Sequence, residues 1–272
     1  MMNLIKTAAA GAIVLGSAYI LSTQGRTGHP GLEALRGWHY AHRGLHDDTR
    51  PENSMSAFRA ALEHGYGIEL DIHLLKDGTL AVMHDGSLKR TAGVDVNIAD
   101  LTAEELAQYQ LLGSGEPIPL FREVLDLFAG KAPLIIELKV DGSNHSALVK
   151  AAAEIMEGYE GPYCMESFDP RCVYALKKNY PQIIRGQLSQ NYFEYKNNLH
   201  PALKWVMTNQ AANFLTMPDF TAYKYQDRKT FSDTLVRKFW GVQGVSWTLR
   251  SQEEQNTAVS EGWITIFENY TP

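Results

Sequence analysis

The chain has 272 residues, of which 44% are hydrophobic, 21% charged and 10% aromatic. This composition is that of a globular protein and argues against a disordered chain or a small disulfide scaffold. The 31 Asp and Glu residues outnumber the 25 Lys and Arg residues, so the formal net charge is -6. The sequence contains no block of Lys and Arg long enough to follow a phosphate backbone, so we do not expect a nucleic-acid partner. An anionic substrate must be held by a few local cations or by a metal.

An apolar segment near the N-terminus is the first predicted element. No charged residue occurs between Thr7 and Gly25, and residues 7–21 are almost wholly apolar or small. This length lies between the ~7–15 residues of a signal-peptide core and the roughly 17–25 residues of a spanning helix. Since no small-residue cleavage site follows, we expect residues 1–22 to be an uncleaved transmembrane anchor, with a signal segment as the alternative.

Two features favour the cytoplasmic side of the membrane for the rest of the chain. Lys6 precedes the apolar segment, whereas Arg26 and Arg36 follow it. Cys164 and Cys172 are expected to be buried free thiols, as in a reducing compartment.

The remainder of the chain has the length and pattern of one α/β barrel. Residues 23–37 contain four Gly and one Pro and are expected to be a linker or an amphipathic collar. The barrel is expected over residues 38–272, close to the ~250 residues typical of a (β/α)8 fold. Short apolar runs alternate there with helical stretches, as repeated βα units require. The predicted strands are 38–42, 67–74, 79–84, 133–140, 163–168, 183–189, 212–217, 244–249 and 263–267.

Nine predicted strands are one too many for such a barrel. The strands 67–74 and 79–84 are joined by the turn Lys76-Asp77-Gly78, which leaves no room for a helix, so an irregularity is expected there. Residues 86–117 are turn-rich and are expected to form an insertion over the strand ends, with one short helix capped by Thr102 and Glu105. Helix starts are also predicted at Ser54, at Asp169-Pro170 and at Ser251 with Glu254.

Ionisable side chains collect at the ends of the first four predicted strands. They are His42 with Arg43, Glu69 with Asp71, His84 with Asp85, and Glu137 with Lys139. Residues two apart on a strand share a face, so Glu69 and Asp71 point the same way. Inside a barrel, three carboxylates then meet at the carboxyl ends of the strands, where barrel active sites lie.

Three carboxylates so close cannot all stay ionised without a positive counter-charge. Buried salt bridges to Arg43 and Lys139 are one solution, but four strand ends in series favour a divalent cation. Oxygen ligation favours Ca²⁺, Mg²⁺ or Mn²⁺ over zinc. His42 and His84 can then act as general acid and base, while Arg43 and Lys139 offer positive charge to a phosphoryl group. The sequence therefore predicts a phosphoester substrate.

The same residues lie in runs that resemble the glycerophosphodiester phosphodiesterase family, in that family's order, from about residue 38 to 250. These runs are AHRG (41–44), RPENSMSAF (50–58), GYGIELDIHLLKDGTLAVMHD (65–85), IPLFREVLDL (118–127), IIELK (135–139), SFDP (167–170) and SWTL (246–249). The resemblance implies a distorted TIM (β/α)8 barrel, with an insertion at 86–117, that hydrolyses glycerophosphodiesters to glycerol 3-phosphate and an alcohol.

The resemblance also implies roles for individual residues. His42 and His84 correspond to the acid/base pair, and Arg43 and Lys139 correspond to the phosphate-binding cations. The carboxylates of Glu69, Asp71 and Glu137 correspond to the metal ligands. The chain departs from the family at its end, where Phe267-Glu268-Asn269 alters the rim of the last strand and is expected not to touch the metal site.

Several alternatives stay open at this point. The substrate could instead be a lysolipid cleaved by a lysophospholipase D at the membrane surface, or the barrel could be an inactive lipid-binding domain. Trp247 is a candidate to stack on a cationic head group. Residues 192–240 hold eleven aromatic residues, expected to pack barrel helices, with a leaving-group pocket or a lipid contact as the alternative. The sequence does not fix the oligomeric state, the histidine that acts first, or the choice between a cyclic phosphate and direct attack by water.

Overall fold

A closed barrel of eight parallel strands forms the core of the computed structural model, which describes residues 14–272. The sheet of the described residues has nine strands, the eight of the barrel and the short antiparallel β3. They are β1 (His39–His42), β2 (Gly67–Leu74), β3 (Leu80–Val82), β4 (Leu134–Leu138), β5 (Tyr163–Ser167), β6 (Arg185–Ser189), β7 (Phe220–Lys224), β8 (Gln243–Leu249) and β9 (Trp263–Phe267). All except β3 run parallel, and the pairings of β1 with β2 and with β9 close the barrel. The TIM-barrel prediction is confirmed.

The strand β3 is the expected irregularity. It pairs antiparallel with the far end of β2, Ile72 opposite Val82, and so lies outside the eight-stranded barrel. His84 therefore does not follow a barrel strand, as the series of four strand ends supposed. It follows β3, the second strand of a hairpin that returns the chain to the carboxyl-end rim. His84 therefore lies at the rim with the other ionisable side chains, but a hairpin and not a barrel strand brings it there.

Helices surround the barrel. Within the described residues they are α1 (14–22), α2 (Met55–Glu63), α3 (Lys89–Ala92), α4 (Ala103–Leu106), α5 (Phe121–Phe128), α6 (His145–Ile155), α7 (Pro170–Asn179), α8 (Pro201–Thr208), α9 (Asn213–Thr216), α10 (Phe231–Asp233), continued by a π-helix (Thr234–Phe239), and α11 (Gln252–Ser260). Short 3₁₀ helices occupy Pro30–Leu35, Ile98–Asp100 and Tyr225–Asp227.

The predicted helix starts are confirmed by their caps. The Ser54 side chain accepts a hydrogen bond from the Ala57 amide, and the Asp169 side chain accepts one from the Arg171 amide. Ser251 accepts from the Glu254 amide, and Thr102 and Glu105 form a reciprocal capping box. Each cap satisfies an amide that would otherwise lack a partner in the first turn.

The insertion 86–117 has a small apolar core of its own. Leu88, Leu101, Leu106 and Leu111 are buried together with Met83, just beyond β3. It holds two short α-helices, α3 and α4, rather than the single one expected.

The predicted strand 212–217 is wrong. That run forms α9, and the barrel strand is β7, which begins three residues after the run ends. A short apolar run does not distinguish a buried strand from a buried helical turn by periodicity alone. Pro218 separates the two elements, and the carboxylate of Asp219 fixes the start of β7 by accepting from the Arg185 backbone amide at 3.0 Å.

Residues 23–37 are not a free linker but close the amino-terminal face of the barrel. Leu32 and Leu35 lie on the 3₁₀ helix Pro30–Leu35 and are buried in an apolar cluster with Val245 and Ile264. The Arg26 guanidinium forms a two-pronged ion pair with Asp219, with 2.6 Å between Nη2 and Oδ2. Of the two expectations for residues 23–37, this packing fits a collar and corrects the free linker.

The structure bears on the predicted anchor only in part, because residues 1–13 lie outside the described residues. Among residues 14–272, no helix combines the length and the apolar character needed to cross a membrane. Cys164 and Cys172 are buried and free, as predicted.

Gly186 on β6 is a sensitive point of the barrel wall. A Cβ added there would lie 2.1 Å from ring carbons of Phe220 on β7. The strands β6 and β7 cannot move apart to relieve this clash, because they are hydrogen-bonded to each other. We therefore expect Gly186→Ala to lower the free energy of unfolding by about 1–3 kcal/mol, measured by guanidinium chloride titration. Gly86→Ala is the matched control, since open space surrounds that position. Equal stability of the two variants would contradict the packing described here.

Candidate active site

Three acidic side chains meet inside the carboxyl end of the barrel. Glu69 and Asp71 lie on β2, and Glu137 on β4 is the register partner of Asp71. One carboxylate oxygen from each lies within 4.8 Å of the others, and the three residues are 3%, 1% and 8% exposed. The alternation of side chains along β2 and the parallel register of β4 produce this grouping.

The three acids cannot share this space as free carboxylates. Burial, and then the charges of Asp71 and Glu137, raise the pKa of Glu69 well above its usual range. Burial also raises the pKa of Glu137 to about 7, against the attraction of Lys139. Burial acts the same way on Asp71, but Lys139, His84 and Arg43 outweigh it and hold the Asp71 pKa below its usual range. Positive charge therefore decides the ionisation of the cluster.

Both predicted phosphate-binding cations, Lys139 and Arg43, border this cluster. The Lys139 ammonium lies 2.9 Å from Glu137 Oε1 and 3.3 Å from Asp71 Oδ1. The Arg43 guanidinium binds Glu52 at 2.9 Å, and its Nε lies 3.5 Å from Asp71 Oδ2. Arg43 has a left-handed backbone (φ 56°), and its amide donates to Glu69 Oε2 at 3.2 Å.

The acidic cluster fits a divalent cation. Its donors are all carboxylate oxygens, the ligands that Ca²⁺ and Mg²⁺ prefer. Asn53 donates from Nδ2 to Asp71 Oδ2 at 2.9 Å, an outer contact of the kind that orients a ligating carboxylate. Glu69, Asp71 and Glu137 are thus the residues that could hold such an ion.

Both predicted catalytic histidines line the same cavity of about 260 Å³ as Glu69 and Glu137. His42 contacts Glu268 Oε1 through Nδ1 at 3.0 Å, and its Nε2 lies 3.8 Å from Glu69 Oε2. His84 contacts Asp85 Oδ1 through Nδ1 at 2.6 Å. A carboxylate at Nδ1 fixes the proton there and leaves Nε2 as the free base. Burial lowers the pKa of both histidines, which favours this neutral form.

Glu268 is a site residue that the sequence interpretation placed on the rim but did not connect to the chemistry. Its Oε2 accepts from the Arg250 guanidinium at 2.9 and 3.2 Å, and Oε1 lies 3.5 Å from His46 Nε2. Burial opposes its ionisation, but contacts with His42 and His46 hold the pKa of Glu268 well below its usual range. Glu268 follows β9, the strand beside β1, so the altered end of the last strand lies against the catalytic histidine His42. That it does not touch the metal site stays a prediction.

Glu166 is a second acid that was missed. It lies on β5 opposite Glu137, is 1% exposed, and its Oε2 has no hydrogen-bond partner among the described residues. Burial, together with the charges of Glu137 and Asp71, raises its pKa well above the usual range, which favours the neutral form. The signal was present in the sequence, because a glutamate lay inside the predicted strand 163–168.

Arg90 of the insertion ties the rim together. Its guanidinium binds Glu52 at 2.8 Å and Asp85 at 2.6 Å. Glu52 also holds Arg43, and Asp85 also holds His84. The insertion therefore supports one predicted phosphate-binding residue and one predicted catalytic residue through a single side chain.

Trp247 lies in the cavity wall, packed edge-on against Phe168 at 5.6 Å between ring centroids. Its indole donates to the Ala222 carbonyl at 3.1 Å. The Lys224 ammonium lies 5.7 Å from the Trp247 ring centroid and 3.8 Å from that of Tyr195. A cationic head group stacked on Trp247 would share this space with Lys224, a cation that the sequence interpretation did not single out.

Comparison with known families adds a sequence relationship to this geometry. Residues 42–270 match the model of the Glycerophosphoryl diester phosphodiesterase family. Among individual relatives, lysophospholipase D GDPD1 of Homo sapiens is 37% identical over 134 residues, which are 44% of this chain and 41% of that protein. A glycerophosphodiester phosphodiesterase of Caldanaerobacter subterraneus is 35% identical over 55% of this chain and 65% of its own length. The chain thus matches less than half of the human protein.

Solved structures share the fold. A phosphodiesterase of Oleispira antarctica, in complex with its product sn-glycerol-3-phosphate, superposes with a TM-score of 0.70 at 19% identity over 89% of this chain and 95% of that one. A Silicibacter pomeroyi protein described as a glycerophosphoryl diester phosphodiesterase gives a TM-score of 0.71 at 22% identity, with the same coverage.

The acidic cluster leads to a prediction about cation binding. We expect Asp71→Asn to weaken Mg²⁺ or Ca²⁺ binding by about tenfold or more. Loss of a residue that only orients a metal ligand typically costs about 10–100-fold in affinity, and this change removes the charge of a ligand itself. Isothermal titration calorimetry measures this effect. Glu33→Gln is the control, since Glu33 is exposed and pairs only with Arg36 at the opposite face. Equal affinity in Asp71→Asn and the parent chain would contradict the assignment.

The contact between Glu268 and His42 leads to a spectroscopic prediction. In the parent chain, long-range ¹H–¹⁵N spectra should show His42 protonated at Nδ1. Glu268→Ala removes the acceptor, so this tautomer should give way to a mixture, whereas Glu268→Gln retains an acceptor oxygen and should preserve it. A His42 tautomer that is the same in all three proteins would show that Glu268 does not position the ring.

Proposed function

The chain belongs to the glycerophosphoryl diester phosphodiesterase family, and we propose that it hydrolyses glycerophosphodiesters to glycerol 3-phosphate and an alcohol. One observation carries the proposal. Two histidines, each held by a carboxylate at Nδ1, line one cavity with a three-carboxylate cluster suited to a divalent cation. This arrangement combines proton transfer with charge stabilisation, the two requirements of phosphodiester cleavage.

The residues divide the binding of the phosphodiester between them. Glu69, Asp71 and Glu137 would hold Ca²⁺ or Mg²⁺, which when bound supplies positive charge to the phosphoryl oxygens. Arg43 offers a planar donor group and Lys139 a point charge to the same group. Because Arg43 and Lys139 border the acidic cluster, they favour binding of the phosphoryl group at the edge of that cluster. The histidines line the same cavity.

The histidines transfer protons at Nε2. One histidine, unprotonated at Nε2, removes the proton from the glycerol 2-hydroxyl, whose oxygen attacks phosphorus in line. The other must carry a proton at Nε2 before this step and gives it to the departing alcohol oxygen. Water then opens the cyclic phosphate with the two roles exchanged. In the alternative path, one histidine takes the proton from water, which attacks phosphorus directly, and the other, protonated histidine gives its proton to the alcohol oxygen as its bond to phosphorus breaks. Both rings have the same kind of carboxylate partner, so either can act first.

A lysophospholipase D acting on lysolipids is the second candidate. The apolar segment 7–21 supports it, since an anchored enzyme would meet substrates that stay in the bilayer. The human relative carries that name as well. We propose that the part of this segment that precedes Tyr19 anchors the chain to a membrane, because Tyr19 and Ile20 contact the helices of the barrel. An inactive lipid-binding barrel is disfavoured, because both histidines and all three acids are present and grouped.

Substrate preference is the direct test of the proposal. The full chain, purified in a mild detergent, would be given glycerophosphocholine, glycerophosphoethanolamine or lysophosphatidylcholine, each with Mg²⁺, with Ca²⁺ or with a chelator. Hydrolysis of a glycerophosphodiester that stops on chelation is the expected result. Preferential hydrolysis of lysophosphatidylcholine would select the second candidate, and no hydrolysis of any substrate would reject both.

The two histidines give a sharper test of mechanism. We expect His42→Ala and His84→Ala each to lower kcat by about 10²–10⁴-fold, the usual contribution of a positioned acid or base, with little change in cation affinity. His145→Ala is the control, because His145 begins α6 and does not line the catalytic cavity. Near-parent turnover in either catalytic variant would overturn its assignment.

A further inference from the structure

Apolar side chains are exposed beside α1. Val14 and Leu15 on α1 are 66% and 73% exposed, and Trp205 on α8 and Phe231 at the start of α10 are 48% and 68% exposed. Tyr19 joins these elements, with ring centroids 5.7 Å from Trp205 and 6.3 Å from Phe231. Tyr19 thus connects Trp205 with Phe231, and exposed apolar side chains grouped in this way mark a candidate docking site.

The contacts of α1 fix its direction along the barrel. Near its end, the Ile20 carbonyl and the Thr23 hydroxyl accept from the Trp240 indole at 3.1 and 3.2 Å. Trp240 lies just before β8, at the amino-terminal face of the barrel. Tyr19 instead reaches Phe231, which follows the carboxyl end of β7. Followed towards its N-terminus, α1 therefore rises towards the face that carries the catalytic cavity.

Residues 14–18 extend α1 past Tyr19 by about 7.5 Å, at 1.5 Å per helical residue. The chain that precedes them, residues 7–13, is TAAAGAI and has no charge. Phe193, 55% exposed, lies four residues past the end of β6 on the same side of the barrel. The described N-terminal part of α1 and the exposed aromatic residues thus lie towards one face.

We propose that this lipid-facing surface, formed by Val14, Leu15, Phe193, Trp205 and Phe231, docks on a phospholipid bilayer with the catalytic cavity opening towards it. Large aromatic side chains are enriched at the interface between lipid and water, and the sequence that precedes Val14, residues 7–13, carries no charge. The purpose of the docking rests on the proposed function, since docking would bring lipid-derived phosphodiesters to the cavity. The docking itself depends on the apolar surface alone.

Site-directed labelling tests this orientation without measuring turnover. Phe231→Cys in the full chain would be labelled with a fluorophore and reconstituted into phosphatidylcholine vesicles that contain nitroxide-labelled lipids. Cys164 and Cys172 are buried, so the parent chain should take up little label. Phe239→Cys is the matched control, because Phe239 is an equally exposed aromatic residue beside Trp240 at the opposite face. Trp205→Cys is a second test position if Phe231→Cys does not fold.

Quenching by the labelled lipids is expected at position 231 or 205, with little or none at 239. Equal quenching at the two faces, or quenching only at 239, would overturn the orientation. Shielding of position 231 without vesicles, together with dimer formation in light scattering, would assign the surface to a second copy of the chain instead. Hydrolysis of glycerophosphocholine by the same labelled proteins tests the proposed function separately.

Discussion

The central constraint on this structure is the crowding of acidic side chains inside the barrel. Glu69, Asp71 and Glu137 lie within 4.8 Å of one another, and Glu166 adds a fourth buried acid beside them. In a buried setting, each ionised carboxylate needs positive charge close by. Lys139 and Arg43 meet part of this need, and a divalent cation is suited to meet the rest. The negative net charge of the chain is therefore compatible with an anionic substrate, because part of it forms a cation site.

The surrounding structure holds the reactive groups at the edge of that cluster. Glu268 orients His42 and Asp85 orients His84, and the hairpin of β2 and β3 returns His84 to the rim. Arg90 joins the insertion to this frame through Glu52 and Asp85. The insertion thus contributes to the order of the site, although none of its residues belongs to the predicted catalytic set.

Much of this arrangement could be predicted because it depends on short-range rules. The spacing of Glu69 and Asp71 on one strand places both on one face, and a barrel brings strand ends together. Contacts between distant segments could not be predicted in the same way. Glu268 reaches His42 only because β9 closes the barrel against β1, and the packing of Leu32 and Leu35 depends on the closed amino-terminal face. The run 212–217 failed as a strand because its apolar pattern fits a helical turn equally well.

A crystal structure with Mn²⁺ and sn-glycerol-3-phosphate would show whether the acidic cluster binds the cation, since manganese can be located by its anomalous scattering. We expect one anomalous peak within about 2.0–2.6 Å of oxygens from Glu69, Asp71 and Glu137, the range of hard-cation ligation. We also expect the phosphate beside that peak, in contact with Arg43 and facing His42 and His84. A peak elsewhere, or a phosphate bound away from the acidic cluster, would contradict the assignment of the site.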